Sequence, residues 1–257
     1  MSLEIYLLAT VLIFITSFIF AMLGLGGGIL YVPILKWLGL PLKTTAIPLG
    51  LLLNGLNTLS AFIAYARQGL VDFRGGLPAA IAAVLFAPFG AWCVQFVPYQ
   101  WLIGLFSVAI LIAALRSLFS KEPDENRLFA TKRKILFIGS LAGGFAGFMG
   151  GLLGIGGGFI IAPLLMELGY PAKQAAATTA FIVTFSSFAG FLGHLGMGHL
   201  DPTLVILAVL AVLIGSQLGA WFMMNKAKSV WIKKLYGIVL LLVAIQLIFS
   251  LLNEKGN

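Results

Sequence analysis

The residues of this chain best suited to chemistry carry no charge. Two clusters, GLGGG at Gly24–Gly28 and GIGGG at Gly154–Gly158, break long apolar runs at matching places. Glycine lets a backbone turn where other residues resist and lets peptide N–H groups approach a ligand. A short helix starting just after such a break points its N-terminus at the break. That end presents unpaired N–H donors and roughly half a positive charge. Two such ends meeting at membrane depth would hold a small anion without a cationic side chain, as in transporters with broken helices. Gly26, Gly27, Gly28, Gly156, Gly157 and Gly158 are the backbone candidates. Gly24, Pro33, Gly154 and Pro163 are the candidate hinge positions. The same small residues also serve close helix packing, to which Gly143, Gly147 and Gly151, spaced by four, are assigned. Neither cluster fits a nucleotide motif: no Lys-Ser/Thr follows, and Ile29 or Phe159 stands where a dinucleotide motif needs glycine.

The next apolar stretch in each half adds neutral donors. Asn54, Asn57, Thr58 and Ser60 occur in the first, and Thr178, Thr179, Thr184, Ser186 and Ser187 in the second. The register that lays Gly24 on Gly154 also lays Asn54 on Thr184 and Asn57 on Ser187. Positions three apart share a helix face, so each pair can address one solute; hydrogen bonding between helices is the competing use. No Asp, Glu, Lys or Arg falls mid-span. Proton pumps usually carry an intramembrane carboxylate. Exit of an anion needs none, since an inside-negative potential favours it by about 2.3 kcal/mol per charge per 100 mV. His194 and His199 flank a glycine-rich turn. They suit a pH-responsive role or an idle interfacial position, and two histidines make no metal site. Gln95 and Gln217 lie near matching positions and stay unassigned. With one cysteine, Cys93, no intramolecular disulfide or cysteine-bound metal is possible. No catalytic constellation, metal site or cofactor motif is expected, and the chain reads as a non-enzyme.

The elements that position these groups are membrane spans. Of 257 residues 61% are hydrophobic and 9% charged, with mean hydropathy +1.08. Soluble domains hold about 25% charged residues, so lipid is the natural surroundings. Stretches long enough to span, about 20 apolar residues, fall near 5–35, 44–66, 75–96, 100–119, 135–165, 174–195, 202–224 and 230–252. The first and fifth are too long for one helix and contain the glycine clusters. The N-terminus, with Glu4 and no small-residue cleavage site, reads as a retained span. Tyr31, Trp37, Tyr99, Trp101, Tyr170 and Trp231 lie near span ends, as an aromatic belt would place them.

The chain also repeats. Between Leu23 and Ala46, 12 of 24 positions are identical to their partners in that same register, including aligned Gly, Pro and Lys. Gly90-Ala91-Trp92 matches Gly219-Ala220-Trp221 with a one-residue slip, while Pro48 faces Thr178, so the halves are not equivalent. The expected organisation is a first repeat over 1–119, a hydrophilic linker over 120–134 and a second repeat over 135–257. If each glycine-broken segment turns back within the bilayer, the Lys and Arg residues divide 13 against 3; if each crosses once, they divide 7 against 9. The first division obeys the positive-inside rule, and it carries the net charge of +8 without a nucleic-acid partner. It predicts an all-α polytopic membrane protein of about eight spans plus two re-entrant half-helices. The repeats are inverted, both termini lie outside and the linker is cytoplasmic, in a bacterial-type inner membrane.

GLGGGILYVPIL (Gly24–Leu35) with LGLPLKTTA (Leu38–Ala46), and GIGGGFIIAPLL (Gly154–Leu165) with LGYPAKQAAATTAF (Leu168–Phe181), resemble the TauE/SafE sulfite exporter family. The resemblance extends over both halves and the short basic linker. It implies a secondary transporter for sulfur-containing anions such as sulfite or organosulfonates, most often in export. It leaves open a passive anion channel, an importer of another small anion and, in another class, a membrane assembly scaffold. The partners expected are a small anionic substrate, the lipid bilayer and a further copy in a homo-oligomer.

Overall fold

A computed structural model describes residues 3–96, 98, 132–194 and 200–254, together with the helical positions 101, 104, 107, 108, 111, 114 and 115. All regular structure among these residues is helical. Helix α1 spans Leu3–Leu23, α2 Gly28–Trp37, α3 Ile47–Arg67 and α4 Phe73–Cys93. After the linker come α5 Lys132–Leu153, α6 Gly158–Glu167, α7 Ala172–Gly193, α8 Pro202–Asn225 and α9 Ser229–Glu254. The order long, short, long, long therefore occurs twice.

The glycine clusters end one helix and begin the next by ordinary capping chemistry. Gly24 has φ +66°; its N–H reaches the Ala21 carbonyl at 3.0 Å and the Leu25 N–H reaches Phe20 at 3.1 Å. Those two bonds and the left-handed glycine form a Schellman stop, which satisfies carbonyls that the last helical turn would leave bare. Gly154, with φ +79°, ends α5, and the Ile155 N–H reaches the Gly150 carbonyl at 3.1 Å. The short helices stop the same way, at Gly39 and Gly169, before Pro41 and Pro171. With ten residues each, α2 and α6 rise about 15 Å, half a bilayer core. Pro33 and Pro163 lie inside them.

Six helices among the described residues are long and apolar enough to cross a membrane: Leu3–Leu23, Leu42–Arg67, Phe73–Cys93, Leu136–Leu153, Ala172–Gly193 and Pro202–Asn225. The second of these includes a wide π-type turn, Leu42–Ala46, that runs into α3. The expected span at 100–119 falls mostly outside the described residues, as do His199 and Tyr99. The last three residues of the stretch read as linker, 132–134, already belong to α5.

Helices α3 and α7 form the centre. In their spanning windows 72% and 78% of residues are buried, against 39–44% in the others. The outer helices pack reciprocally, α1 against α8 and α5 against α4, so each half's first helix lies on the other half's fourth helix. Small residues make this possible. A Cβ on Gly143, Gly147 or Gly151 would fall 2.3, 2.3 or 1.9 Å from the carbonyl oxygens of Ala79, Ala83 and Ala87 on α4. These three glycines are packing residues, as their spacing indicates. The matched Gly90 and Gly219 behave alike: a Cβ there would meet the Phe148 oxygen at 2.0 Å or the Phe18 oxygen at 2.2 Å. Phe148 and Phe18 are themselves partners in the repeat. The outward faces of α4, α5 and α8 carry large apolar side chains such as Leu85, Leu141 and Ile206, the surface lipid requires.

Two aromatic placements need correction. Trp37, Trp101 and Trp231 are exposed near helix ends, but Tyr31 and Tyr170 are fully buried. Because α2 is a half-helix beginning at the break, Tyr31 in its first turn sits in the interior rather than at an interface. Tyr170 turns its hydroxyl inward to a carboxylate.

Candidate anion site at the crossed breaks

The fold brings the two glycine breaks into contact. A Cβ on Gly28 would lie 2.8 Å from the Ile155 Cα and 2.9 Å from the Gly154 oxygen. One on Gly158 would lie 2.7 Å from the Leu25 oxygen. Each short helix therefore begins against the opposite break, and no side chain larger than hydrogen fits at either start.

Asn54 is the hub of this crossing. It stands at the centre of the 26-residue span Leu42–Arg67 and is wholly buried. Its Oδ1 accepts the Gly28 N–H at 2.7 Å, and its Nδ2 donates to Ser187 Oγ on α7 at 2.7 Å. The carboxamide is held between Gly26 and Gly156. A Cβ on Gly26 would fall 2.1 Å from Oδ1, and one on Gly156 2.1 Å from Nδ2 and 2.5 Å from Ser187 Oγ. Both glycines have positive φ, +68° and +71°, which L side chains adopt only at a cost of about 1–2 kcal/mol. Beside them Ser186 Oγ donates to the Gly156 carbonyl at 3.0 Å. One amide side chain thus ties a half-helix N-terminus to the central helix of the other half.

The remaining candidates divide. Gly27 takes an ordinary negative φ of −92° and lies against the Tyr31 ring, whereas Gly157 has φ +77° and packs on the Ala146 carbonyl of α5. Asn57 shares the Asn54 face but joins a second network: its Nδ2 donates to the Tyr31 hydroxyl at 3.0 Å. Directions along this network are fixed by its far end. Ser17 donates to the Ile13 carbonyl at 2.6 Å, so Tyr31 donates to Ser17 Oγ at 2.6 Å and receives from Asn57. Asn57 Oδ1 has no protein partner and is buried. Thr184 is not brought to the crossing: its hydroxyl bonds back to the Ala180 carbonyl of its own helix at 2.7 Å. Thr58 likewise bonds back to Asn54 at 2.9 Å. Gln217 packs through Nε2 on Ser60 Oγ at 2.7 Å, and Gln95 is exposed. Every buried polar side chain among the described residues is Asn, Ser, Thr, Tyr or His194, and none of the described residues group into a metal-holding cluster.

Two features escape a reading of the sequence. Tyr31 joins Ser17, Gly27 and Asn57, which lie on separate segments, and the repeat pairs Tyr31 with Ile161 and Ser17 with Gly147, so its symmetry gives no hint of the network. His194 is buried, with Nε2 3.1 Å from the Gly151 carbonyl, three residues before the Gly154 break. Burial holds its pKa below the ordinary value, against the opposing pull of that carbonyl. The neutral ring therefore donates from Nε2. The idle interfacial position considered for this histidine does not fit its burial.

Lipid-suited outer faces around a polar, uncharged centre built from two broken helices define a multi-pass membrane transporter. The comparisons agree. The model of the Sulfite exporter TauE/SafE family matches residues 9–247, and the chain belongs to that family. It is similar to the "Probable membrane transporter protein YunE" of Bacillus subtilis, 27% identical over 95% of this chain and 98% of that one. It is also similar to the "Probable membrane transporter protein ORF9" of Sinorhizobium sp, 30% identical over 91% of this chain and 89% of that one. A shorter stretch, 16% of this chain and 9% of the other, is 60% identical to "Sulfite exporter TauE/SafE family protein 3" of Arabidopsis thaliana. No solved structure matches the chain.

Proposed function

We propose that this transporter exports a small sulfur-containing oxyanion of the sulfite or organosulfonate type, and binds it where the two breaks cross. The observation that carries the reading is the Asn54 carboxamide on the Gly28 N–H. A carboxamide oxygen at a half-helix N-terminus occupies the place an anion oxygen would take. In the bound state the anion would displace Oδ1 from Gly28, and Asn54 Nδ2 and Ser187 would add neutral donors. Gly26 and Gly156 leave the room that the Asn54 carboxamide now fills, because any side chain there would collide with it. Desolvated neutral donors hold an anion strongly at low dielectric yet leave no fixed positive charge to trap it. The membrane potential then drives exit.

Reciprocal packing of the halves and the two half-helices support inverted repeats that rock about the crossing. The charge division supports termini outside and the linker in the cytoplasm of a cell membrane. Full burial of Asn54, Asn57 and Ser187 favours an occluded carrier over an open channel. The test is flux of labelled sulfite and of methanesulfonate from proteoliposomes. Protein-dependent, saturable flux lost on Gly26→Val and Gly156→Val supports the reading. Flux that persists in those variants, or is absent for every sulfur oxyanion while a carboxylate passes, overturns it.

A further inference from the structure

Two carboxylates outside the crossing are held in the same unusual way. Asp72 caps α4: its Oδ1 accepts the Gly75 N–H at 3.0 Å, and its Oδ2 accepts the Tyr170 hydroxyl at 2.6 Å. Its backbone N–H donates to Thr178 Oγ1 at 3.0 Å. Asp201 caps α8: its Oδ1 accepts the Thr203 N–H at 2.9 Å, and its Oδ2 accepts the Tyr6 hydroxyl. An N-cap needs one carboxylate oxygen. In both cases the second oxygen takes a tyrosine from the other half of the chain: Tyr170 for Asp72, Tyr6 for Asp201. Neither tyrosine is the counterpart of the other under the repeat, since Leu40 and Leu136 stand at the matching positions.

The two pairs sit at opposite faces. Tyr170 lies just before the first residue of α7 and Asp201 beyond its last; α7 has 22 residues, about 33 Å, and spans the membrane. Asn54, Asn57 and Ser187 lie between them, wholly buried. Both pairs are made and the centre is sealed. A carrier must open one face at a time, and opening either face separates the half-chains that one pair joins.

We propose that Asp72–Tyr170 and Asp201–Tyr6 are the two gates of the transport cycle, one per membrane face, and that release of one opens that face alone. A bond from a neutral hydroxyl to a carboxylate suits this work. It is charge-assisted and directional, yet leaves the carboxylate anchored on its helix cap when it breaks, so the gate re-forms in register. The inference rests on the alternating-access reading but not on the identity of the cargo.

The experiment replaces Cys93 with alanine and places one reporter, Thr184→Cys, near the sealed centre. A membrane-impermeant thiol reagent is applied to right-side-out and to inverted vesicles. In the parent, labelling is slow from both faces. Tyr170→Phe should raise the labelling rate at least tenfold from the Asp72 face and leave the other within twofold. Tyr6→Phe should do the reverse. Asp72→Ser and Asp201→Ser, which keep a capping oxygen but have no second oxygen for the tyrosine, should give the same sidedness and cover the case of a phenylalanine variant that fails to fold. If the variants melt lower but leave labelling unchanged, the pairs are structural ties and the proposal falls. It falls too if both tyrosine variants open the same face. Sided labelling in a protein that moves no sulfur oxyanion would keep the gates and discard the proposed cargo.

Discussion

Replacing Asn54 with aspartate separates support of the fold from recognition of an anion. The change keeps size and shape. The new carboxylate still accepts the Gly28 N–H, which Asn54 Oδ1 holds at 2.7 Å, and the Ser187 hydroxyl can turn to donate where it now accepts from Nδ2. Charge-assisted bonds to a helix N-terminus are stronger than neutral ones, so folding survives. Binding does not, because the protein then carries its own anion at the crossing. A substrate about 5 Å away, at an effective dielectric of about 20, meets about 3 kcal/mol of repulsion, or more than a hundredfold in affinity. The assay is a titration with sulfite at pH 8 in detergent, by thermal shift, paired with proteoliposome flux. The parent should be stabilised by the anion through mass action and Asn54→Asp should not. A pH series adds a sign. Protonating the new group removes its charge, so binding should return towards acid pH. A folded Asn54→Asp protein that binds sulfite within threefold of the parent at pH 8 would refute an anion beside Asn54.

Other expectations are independent of that one. Gly156→Ala forces a Cβ to 2.1 Å from Asn54 Nδ2 at φ +71°; a left-handed penalty of about 1–2 kcal/mol and overpacking of about 1–3 kcal/mol should lower the melting temperature and abolish flux together. Gly151→Ala, whose Cβ would meet the Ala87 oxygen at 1.9 Å, should destabilise the α4–α5 contact by a similar amount while any protein that folds keeps its affinity for the anion. The hydrogen bond from Tyr6 holds Asp201 below the ordinary carboxylate range. The stabilisation it gives is complete above that range and is lost as pH falls through the lowered pKa, so an acid melting series should show a loss that Tyr6→Phe reduces, the Thr203 and Leu204 N–H bonds remaining. His194, neutral and buried, has its pKa lowered from the ordinary 6.5; stability should decline as pH drops below that value, and His194→Gln should flatten the decline. Finally, Leu40→Cys and Leu70→Cys, in a protein with Cys93→Ala, should react from opposite faces if each glycine-broken segment turns back in the bilayer, and reaction from one face would exclude the fold-back.

The sequence by itself determined the solvent and the elements. Composition demanded lipid, because 9% charged residues cannot cover a water-facing surface. Helix stops were written locally: Gly24, Gly39, Gly154 and Gly169 followed by Leu, Ile or Tyr and then glycine or proline encode Schellman turns, whose bonds close within a single stretch of chain. The packing role of Gly143, Gly147 and Gly151 was legible for the same reason, since a spacing of four fixes one helix face. Tertiary structure decided which polar groups meet. Asn54 and Thr184 align in the repeat, yet Asn54 bonds across to Ser187, 133 residues away, while Thr184 bonds to its own helix. A hydroxyl can satisfy itself on the preceding turn and a longer carboxamide reaches past it, so the outcome depends on which helix lies opposite. Tyr31 and Tyr170 looked like belt residues because hydropathy shows proximity to a span end and not depth. Their burial follows from α2 starting in the interior and from the Asp72 cap that receives Tyr170, contacts that join distant segments and have no signature along the chain.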